Sequence, residues 1–268
     1  MRNVSGHARR LMSAVVVLEW TFSPPNYFEA PIEVSRDDHT LTIVDGKAEA
    51  RIDSEVFDAN PSLRQTLHDA LNDRFLGVQV LSHSPYELSR PTMTRVYPDG
   101  RRDLFLEAET GRMVIMGHPV DIQIRDTEGK VVVDSKRDRI EKKRAISELA
   151  STYCASDETL ASLLRSYHAA VRDPNDELVH LYEIREALSA EFGGEEAVRS
   201  ALGISSSDWS RLGQLCNSDP LRQGRHRGKT RGALRDASEA ELTEARGIAR
   251  AMTEAYLRHL DNTSRNRD

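Results

Sequence analysis

HTLTIVDGKAEARID, residues 39–53, contains two strand-like runs that are joined by Asp45-Gly46. A tight hairpin needs residues that tolerate a positive φ at its turn, and an Asp-Gly pair supplies them. This stretch therefore predicts a β-hairpin, and it sets the expectation for the residues on either side of it.

Two later stretches carry the same kind of signal. Residues 94–107 predict a second hairpin that turns at Pro98-Asp99-Gly100, and residues 120–134 predict a third that turns at Glu128-Gly129. The repetition favours antiparallel pairing throughout this part of the chain.

One strand and one helix complete the N-terminal half. The apolar run at residues 14–22 ends before Pro24-Pro25 and predicts the first strand. Asn60 and Pro61 have the residue types of an N-cap and a first helical position. The apolar residues that follow at helical spacing are Leu63, Leu67, Leu71 and Phe75.

From Lys136 onward the apolar residues recur with a period of about 3.6, which predicts helices. Asp157 is the expected N-cap of the second of these helices, and Asp173-Pro174 is expected to open the third. The serines of Ser205-x-x-Asp208 and Ser238-x-x-Glu241 are the expected caps of two later helices.

The predicted fold class is α+β: a β-rich N-terminal domain with antiparallel hairpins and one helix, followed by an all-α helical bundle. The domains are expected at residues 12–135 and 136–262. Residues 1–11 are expected to be a disordered leader, and residues 263–268 a disordered tail. The net charge is −6 for residues 1–135 and zero for the remainder.

Composition limits the classes of function. Two distant cysteines without a C-x-x-C pattern fit a reducing cytoplasm. No stretch has the roughly 18 apolar residues of a membrane span. Scattered histidines without metal-ligand spacing predict no metal site and no cofactor.

The basic segment, LRQGRHRGKTRGALR (Leu221–Arg235), is the main functional signal. It carries six Lys and Arg residues and no acid in a chain of net charge −6. Such a cluster repels itself, and an anionic partner explains it. The alternative is a solvated basic loop whose arginines pair with acids of the first domain or of the terminal helix. Gly224 lies one residue too close to Gly228-Lys229-Thr230 for a phosphate-binding Walker A loop, and a helix precedes it where that loop needs a strand.

The histidine next to arginine in the same segment suggests a catalytic role. Arg222 and His226 are four residues apart, and Arg225 adjoins His226. The histidine can move a proton near neutral pH, and guanidinium groups stabilise charge at phosphorus, which is sufficient for metal-independent RNA cleavage. The remaining cations are expected to bind phosphate: Arg227, Lys229, Arg231 and Arg235.

A helical bundle with an arginine-rich turn and an R…H pair before its last helix resembles the HEPN superfamily, over about residues 137–262. Many members are ribonucleases of toxin and antiviral defence systems. The family pattern is R-x4–6-H, whereas this chain has R-x3-H in Arg222-Gln-Gly-Arg-His226. The resemblance implies that Arg222 or Arg225 binds phosphate, that His226 acts on the 2′-hydroxyl or the leaving group, and that Asn217 is a further polar group. It also implies a homodimer.

One arginine lies where an apolar residue is expected. The inward stripe of the third C-terminal helix includes Leu178, Leu181 and Arg185. A buried arginine needs a partner, and Glu244 or Glu254 of the last helix could provide one. Glu183 and Glu186 of the same helix are expected to pair with Arg185 or with a neighbouring arginine.

Two hypotheses of function remain. The first is an RNA-binding effector, with HEPN-like endoribonuclease activity as its catalytic form. The second is a non-catalytic interaction protein that docks a macromolecule, with the edges of the N-terminal sheet as a surface for a protein partner.

Overall fold

The computed structural model describes residues 13–105, 121–125, 131–225 and 232–266. The chain divides into two compact units, Met1–Asn72 with Tyr86–Arg144, and Asp73–Pro85 with Ala145–Asp268. An antiparallel sheet in the N-terminal part is followed by helices in the C-terminal part, which confirms the predicted α+β class. The predicted boundary at residue 135 stays a prediction, and the expected leader lies outside the described residues.

The described strands all belong to the first unit. They are β1 (Val15–Ser23), β2 (Ile32–Ser35), β3 (His39–Val44), β4 (Lys47–Asp53), β5 (Glu87–Leu88), β6 (Thr92–Val96), β7 (Arg102–Phe105), β8 (Gln123–Arg125) and β9 (Val131–Asp134). The main sheet has the order β2-β3-β4-β1-β6-β7, β5 also pairs with β1, and β8 and β9 form a separate pair. Every strand pairing described in these sheets is antiparallel.

The turns explain why the predicted hairpins form. Asp45 and Gly46 have φ values of 46° and 81°, and Gly100 has a φ of 85°. Positive φ at both residues of a two-residue turn matches the twist of the flanking strands. The β8–β9 pair confirms the third hairpin, but its predicted turn at Glu128-Gly129 lies outside the described residues.

The core of the first unit lies on one face of the sheet. Alternate residues of β1 are buried there, namely Val16, Leu18 and Trp20, each 1% exposed or less. The indole Nε1 of Trp20 donates to Nδ1 of His68 at 3.1 Å, so the buried ring has a polar partner.

The helices follow the predicted pattern closely. They are α1 (Ser54–Ala59), α2 (Leu63–Ser82), α3 (Ser135–Tyr153), α4 (Glu158–Arg172), α5 (Glu177–Phe192), α6 (Glu195–Leu202), α7 (Ser206–Gly213) and α8 (Glu239–Arg265), and a five-residue π-turn (Gln214–Ser218) follows α7 directly. Asp157 and Ser205 cap α4 and α7 as predicted, and Ser238 forms a full capping box with Glu241 at the start of α8.

Three predicted boundaries are wrong. Asn60 is the C-cap of α1, a short helix that was not expected, and α2 begins only at Leu63. The third C-terminal helix starts at Glu177, because the Asp173 N–H donates to the carbonyl of Ala169 and ends α4. Helix α8 continues to Arg265, so residues 263–265 are helical where a disordered tail was expected.

The second unit has a core built from the apolar faces of its helices. Each helix from α4 to α8 contributes side chains that are at most 1% exposed, among them Leu163, Leu181, Val198, Trp209 and Met252. Leu221, at the start of the basic segment, is also 1% exposed. This buried leucine fixes the start of the basic segment to the helical core.

Candidate functional site

The basic segment is closed at its base by backbone hydrogen bonds. Leu221 and Arg235 form a parallel β-bridge. The Arg222 N–H donates to the carbonyl of Arg235 at 3.0 Å, and the Arg235 N–H donates to the carbonyl of Pro220 at 3.1 Å. The two ends of the segment therefore lie side by side.

The π-turn holds the first residues of the segment. The Arg225 N–H donates to the carbonyl of Cys216 at 2.8 Å, and the Gly224 N–H donates to that of Leu221 at 3.1 Å. A Cβ at Gly224 would lie 3.2 Å from both of these carbonyl oxygens, which favours glycine there. The altered hydrogen bonding of a π-turn leaves a backbone carbonyl without a partner inside the helix. Here the carbonyl of Cys216 accepts the hydrogen bond from Arg225 instead and so fixes the backbone of Arg225.

Each predicted arginine that the structure describes meets a carboxylate of the same chain. Arg222 lies 3.8 Å from Asp236, and Arg225 donates a short hydrogen bond from Nη1 to Glu186. Arg235 donates two hydrogen bonds to Glu241, of 2.6 Å and 2.8 Å. These three guanidinium groups are thus partly neutralised from within the chain.

These ion pairs lie at the surface. The side chains of Arg222, Arg225 and Arg235 are 62%, 41% and 52% exposed. An exposed ion pair contributes about 0–1 kcal/mol, because water and salt screen it. An incoming anion can therefore compete for Arg222 and Arg225 at small cost.

The rest of the predicted set is described only in part. Asn217 lies in the π-turn, and its Oδ1 is buried without a hydrogen-bond partner in the described chain. His226, Arg227, Lys229 and Arg231 lie outside the described residues. The predicted pairing of His226 with Arg222 or Arg225 therefore stays a prediction.

Arg185 has a different partner from the expected one. Glu244 accepts two hydrogen bonds from Arg211, and Glu254 accepts one from Arg250. The carboxylate that faces Arg185 is Glu195, at 3.7 Å. The prediction failed because helical spacing does not say which neighbouring helix meets the inward face of α5.

Two aromatic rings lie against Arg185, and one of them also lies near Arg225. The guanidinium carbon of Arg185 lies 4.8 Å from the ring centre of Trp209 and 5.4 Å from that of Tyr182. The guanidinium carbon of Arg225 lies 5.2 Å from the same Tyr182 ring. The only sequence signal for this cluster was an arginine on the inward stripe of a helix.

Neither a search for other kinds of site nor a comparison with known proteins indicates a function. Within the described ranges, no group of three or more His, Cys, Asp and Glu side chains is arranged to hold a metal ion. None of the helices described there is both long enough and apolar enough to cross a membrane. Comparison of the chain with family models, curated proteins and solved structures finds no match.

Proposed function

We propose that the C-terminal helical part binds RNA through the basic segment. The observation that carries the proposal is the bridge between Leu221 and Arg235, which brings together the two ends of a sequence run with six cations and no acid. RNA presents a row of phosphates, and neutralising them releases counterions, which drives association.

The carboxylate partners do not prevent this role. Asp236 and Glu186 are 67% and 49% exposed, so their pairs with Arg222 and Arg225 are weak. An arginine fork binds phosphate through two parallel hydrogen bonds, so RNA can displace these contacts. Glu241 differs, because it is 17% exposed and also accepts from Ser238 in the capping box. We therefore expect Arg235 to stay with Glu241.

The experiment is a salt titration of RNA affinity with the full chain and a single-stranded oligonucleotide. Each phosphate that is neutralised on a single strand contributes about −0.7 to the slope of log affinity against log salt. Replacing Arg227, Lys229 and Arg231 by glutamine should make the slope shallower by about 2.

A matched control removes the same number of charges elsewhere. Arg137, Arg258 and Arg265 are 59%, 63% and 75% exposed, and none of them belongs to the basic segment. Their triple glutamine variant should keep the wild-type slope. Two results would refute RNA binding by the segment. One is an RNA affinity of the wild-type chain that does not change with salt. The other is an equal decrease of the salt slope in both triple variants.

Cleavage is the catalytic form of the same proposal. His226→Ala should abolish RNA cleavage while RNA binding survives, because the histidine would move the proton and the arginines would hold the phosphate. The HEPN resemblance further implies a homodimer, which sedimentation measures directly. The two cysteines without a C-x-x-C pattern favour a cytoplasmic location. A His226→Ala variant with unchanged cleavage would remove the catalytic role and leave the binding role in place.

The second candidate is the non-catalytic interaction protein. It is favoured by the carboxylate that each of Arg222, Arg225 and Arg235 meets within the chain, since these arginines can serve to order the segment. Under this alternative, neither RNA binding nor cleavage is detected. The triple variant of Arg227, Lys229 and Arg231 then differs from wild type only in its binding to a protein partner.

A further inference from the structure

Arg185 is largely enclosed by the second unit. It lies on α5, its side chain is 19% exposed, and its guanidinium group lies over the indole of Trp209. Trp209 itself is 1% exposed. Most of the water around this cation has therefore been replaced by aromatic and backbone surface.

The hydrogen-bond donors of Arg185 are poorly satisfied. A guanidinium group has five N–H donors. Among the described residues, Nη1 donates to the Tyr182 hydroxyl at 3.4 Å, Nη2 lies 3.7 Å from Glu195, and Nε has no partner. By contrast, Arg246 makes three hydrogen bonds of 2.6–2.9 Å. A buried donor without an acceptor destabilises the protein, and an acceptor from a ligand removes that penalty.

Gly213 leaves room for this arginine. A Cβ at Gly213 would collide with Nη1 of Arg185. Glycine is a poor residue for the interior of a helix, yet here it joins α7 to the π-turn without interruption. The missing side chain allows the guanidinium group to lie against the helix backbone.

Two further arginines lie near Arg185, and each has a carboxylate partner: Glu186 for Arg225 and Glu195 for Arg199. Arg225 shares the Tyr182 ring with Arg185, and Arg199 lies 3.7 Å from the same Glu195. The Nε atom of Arg199 is also buried without a partner in the described chain. Glu195 is thus placed between two arginines and makes a hydrogen bond of normal length to neither.

We propose that Arg185 binds a phosphate group of the ligand, in a site formed by Tyr182, Trp209 and Gly213 with Arg225 at its edge. The proposal rests on the proposed function for the identity of the ligand, since RNA supplies the phosphate. Two parallel N–H···O bonds from one guanidinium group match phosphate geometry. A bound phosphate would satisfy the donors of Arg185 that the described residues leave unpaired.

The first experiment uses inorganic phosphate and the full chain. A ligand that binds only the folded protein raises the temperature of unfolding with its concentration. At constant ionic strength, phosphate should raise the melting temperature of the wild-type protein and not that of Arg185→Met. Arg185→Lys should give a smaller rise, because it keeps the charge and loses the fork. Arg258→Met removes an exposed cation of the same unit and should behave as wild type.

The second experiment uses single-stranded RNA. Arg185→Met should lower RNA affinity about tenfold, the size expected for loss of a charged hydrogen bond. It should also make the salt slope shallower by about 0.7. A purely structural arginine would not change the slope. Gly213→Ala displaces the guanidinium group without changing any charge. If Arg185→Met does not fold, Gly213→Ala therefore tests the phosphate site through the same two measurements.

The outcomes separate this inference from the proposed function. If folded Arg185→Met and Gly213→Ala keep the wild-type response to phosphate and the wild-type salt slope, Arg185 is not a phosphate ligand, and RNA binding by the basic segment stands. If phosphate stabilises the wild-type chain through Arg185 but RNA does not bind, the proposed function fails and the phosphate site stands. If neither phosphate nor RNA binds the wild-type chain, both proposals are overturned.

Discussion

Glu177 and Arg246 form a bidentate ion pair, joined by two hydrogen bonds, in the second unit. Nε of Arg246 donates to Oε1 at 2.6 Å, and Nη2 donates to Oε2 at 2.9 Å. Glu177 is 2% exposed and is the first residue of α5, while Arg246 lies on α8. The pair connects the start of one helix with the side of another.

Arg246→Met should destabilise the protein strongly, because it leaves the carboxylate of Glu177 buried without its cation. We expect the free energy of unfolding to fall by about 3 kcal/mol. Urea denaturation followed by circular dichroism measures it. Arg258→Met on the same helix removes a 63% exposed cation and should change the value by less than about 0.5 kcal/mol. Equal effects of the two substitutions would contradict a special role for the Glu177–Arg246 pair.

His83 should make stability depend on pH. Burial lowers its pKa below the ordinary histidine value, Arg246 adds to this effect, and Glu177 and Glu239 oppose it. The unfolded chain therefore binds more protons than the folded one, so this contribution is present above about pH 6.5 and is lost as the pH falls. Because His83 has a φ of 46°, asparagine is chosen as the replacement, since it tolerates a positive φ better than most residues with a side chain.

The measurement for His83 compares wild type with His83→Asn from pH 7.5 to 5. The free energy of unfolding of the wild type should fall more steeply with decreasing pH than that of the variant. Urea midpoints at each pH give both curves. Parallel curves would mean that His83 does not take up a proton on unfolding in this range.

Gly77 and Gly247 should respond to alanine in opposite ways. A Cβ at Gly77 would lie 2.8 Å from the Cβ of Ala150 and 2.9 Å from the carbonyl oxygen of Ile146. At Gly247, no atom of the described residues outside the adjoining helix backbone lies within 4 Å of that position. Gly77→Ala should cost about 1–3 kcal/mol despite the better helix propensity of alanine. Gly247→Ala should stabilise by up to about 1 kcal/mol. Thermal unfolding of the two variants tests both signs, and stabilisation by Gly77→Ala would contradict the close packing.

The two cysteines should be unreactive in the folded protein. Burial raises the pKa of Cys216 to about 12, and burial together with the charge of Asp73 raises that of Cys154 to about 12. Only the thiolate reacts with iodoacetamide, so neither thiol should be alkylated at pH 8 in the native state. Both should be alkylated in denaturant. Rapid native labelling of Cys216 would show that the π-turn opens readily.

Local signals in the sequence predicted much of the fold. Asp45-Gly46 specifies a turn through backbone conformation alone, and Ser238 with Glu241 specifies a helix start through two short hydrogen bonds. Both are interactions between residues close in sequence, so no tertiary information is needed. The α+β class followed from such signals and from the change in apolar period.

The candidate site was predictable only in part. The composition of the basic segment marks it as unusual, but the carboxylate that each arginine meets depends on how helices pack. Glu186 is 39 residues from Arg225, and no local pattern connects them. The π-turn likewise has no recognised local signature, although it orders the backbone of Arg225. Arg185 was noticed as an inward arginine, and its partner was assigned wrongly for the same reason.

Because Leu221 and Arg235 are bridged, the number of residues between them should have little effect on the stability of the helices. Doubling a flexible loop adds only about 0.6 kcal/mol of closure entropy once its ends are fixed together. Peptides can therefore be inserted between Arg225 and Gly232 at little expense to folding. If the segment binds RNA as proposed, its preference can change by insertion or deletion here, while the helices on both sides keep their sequence.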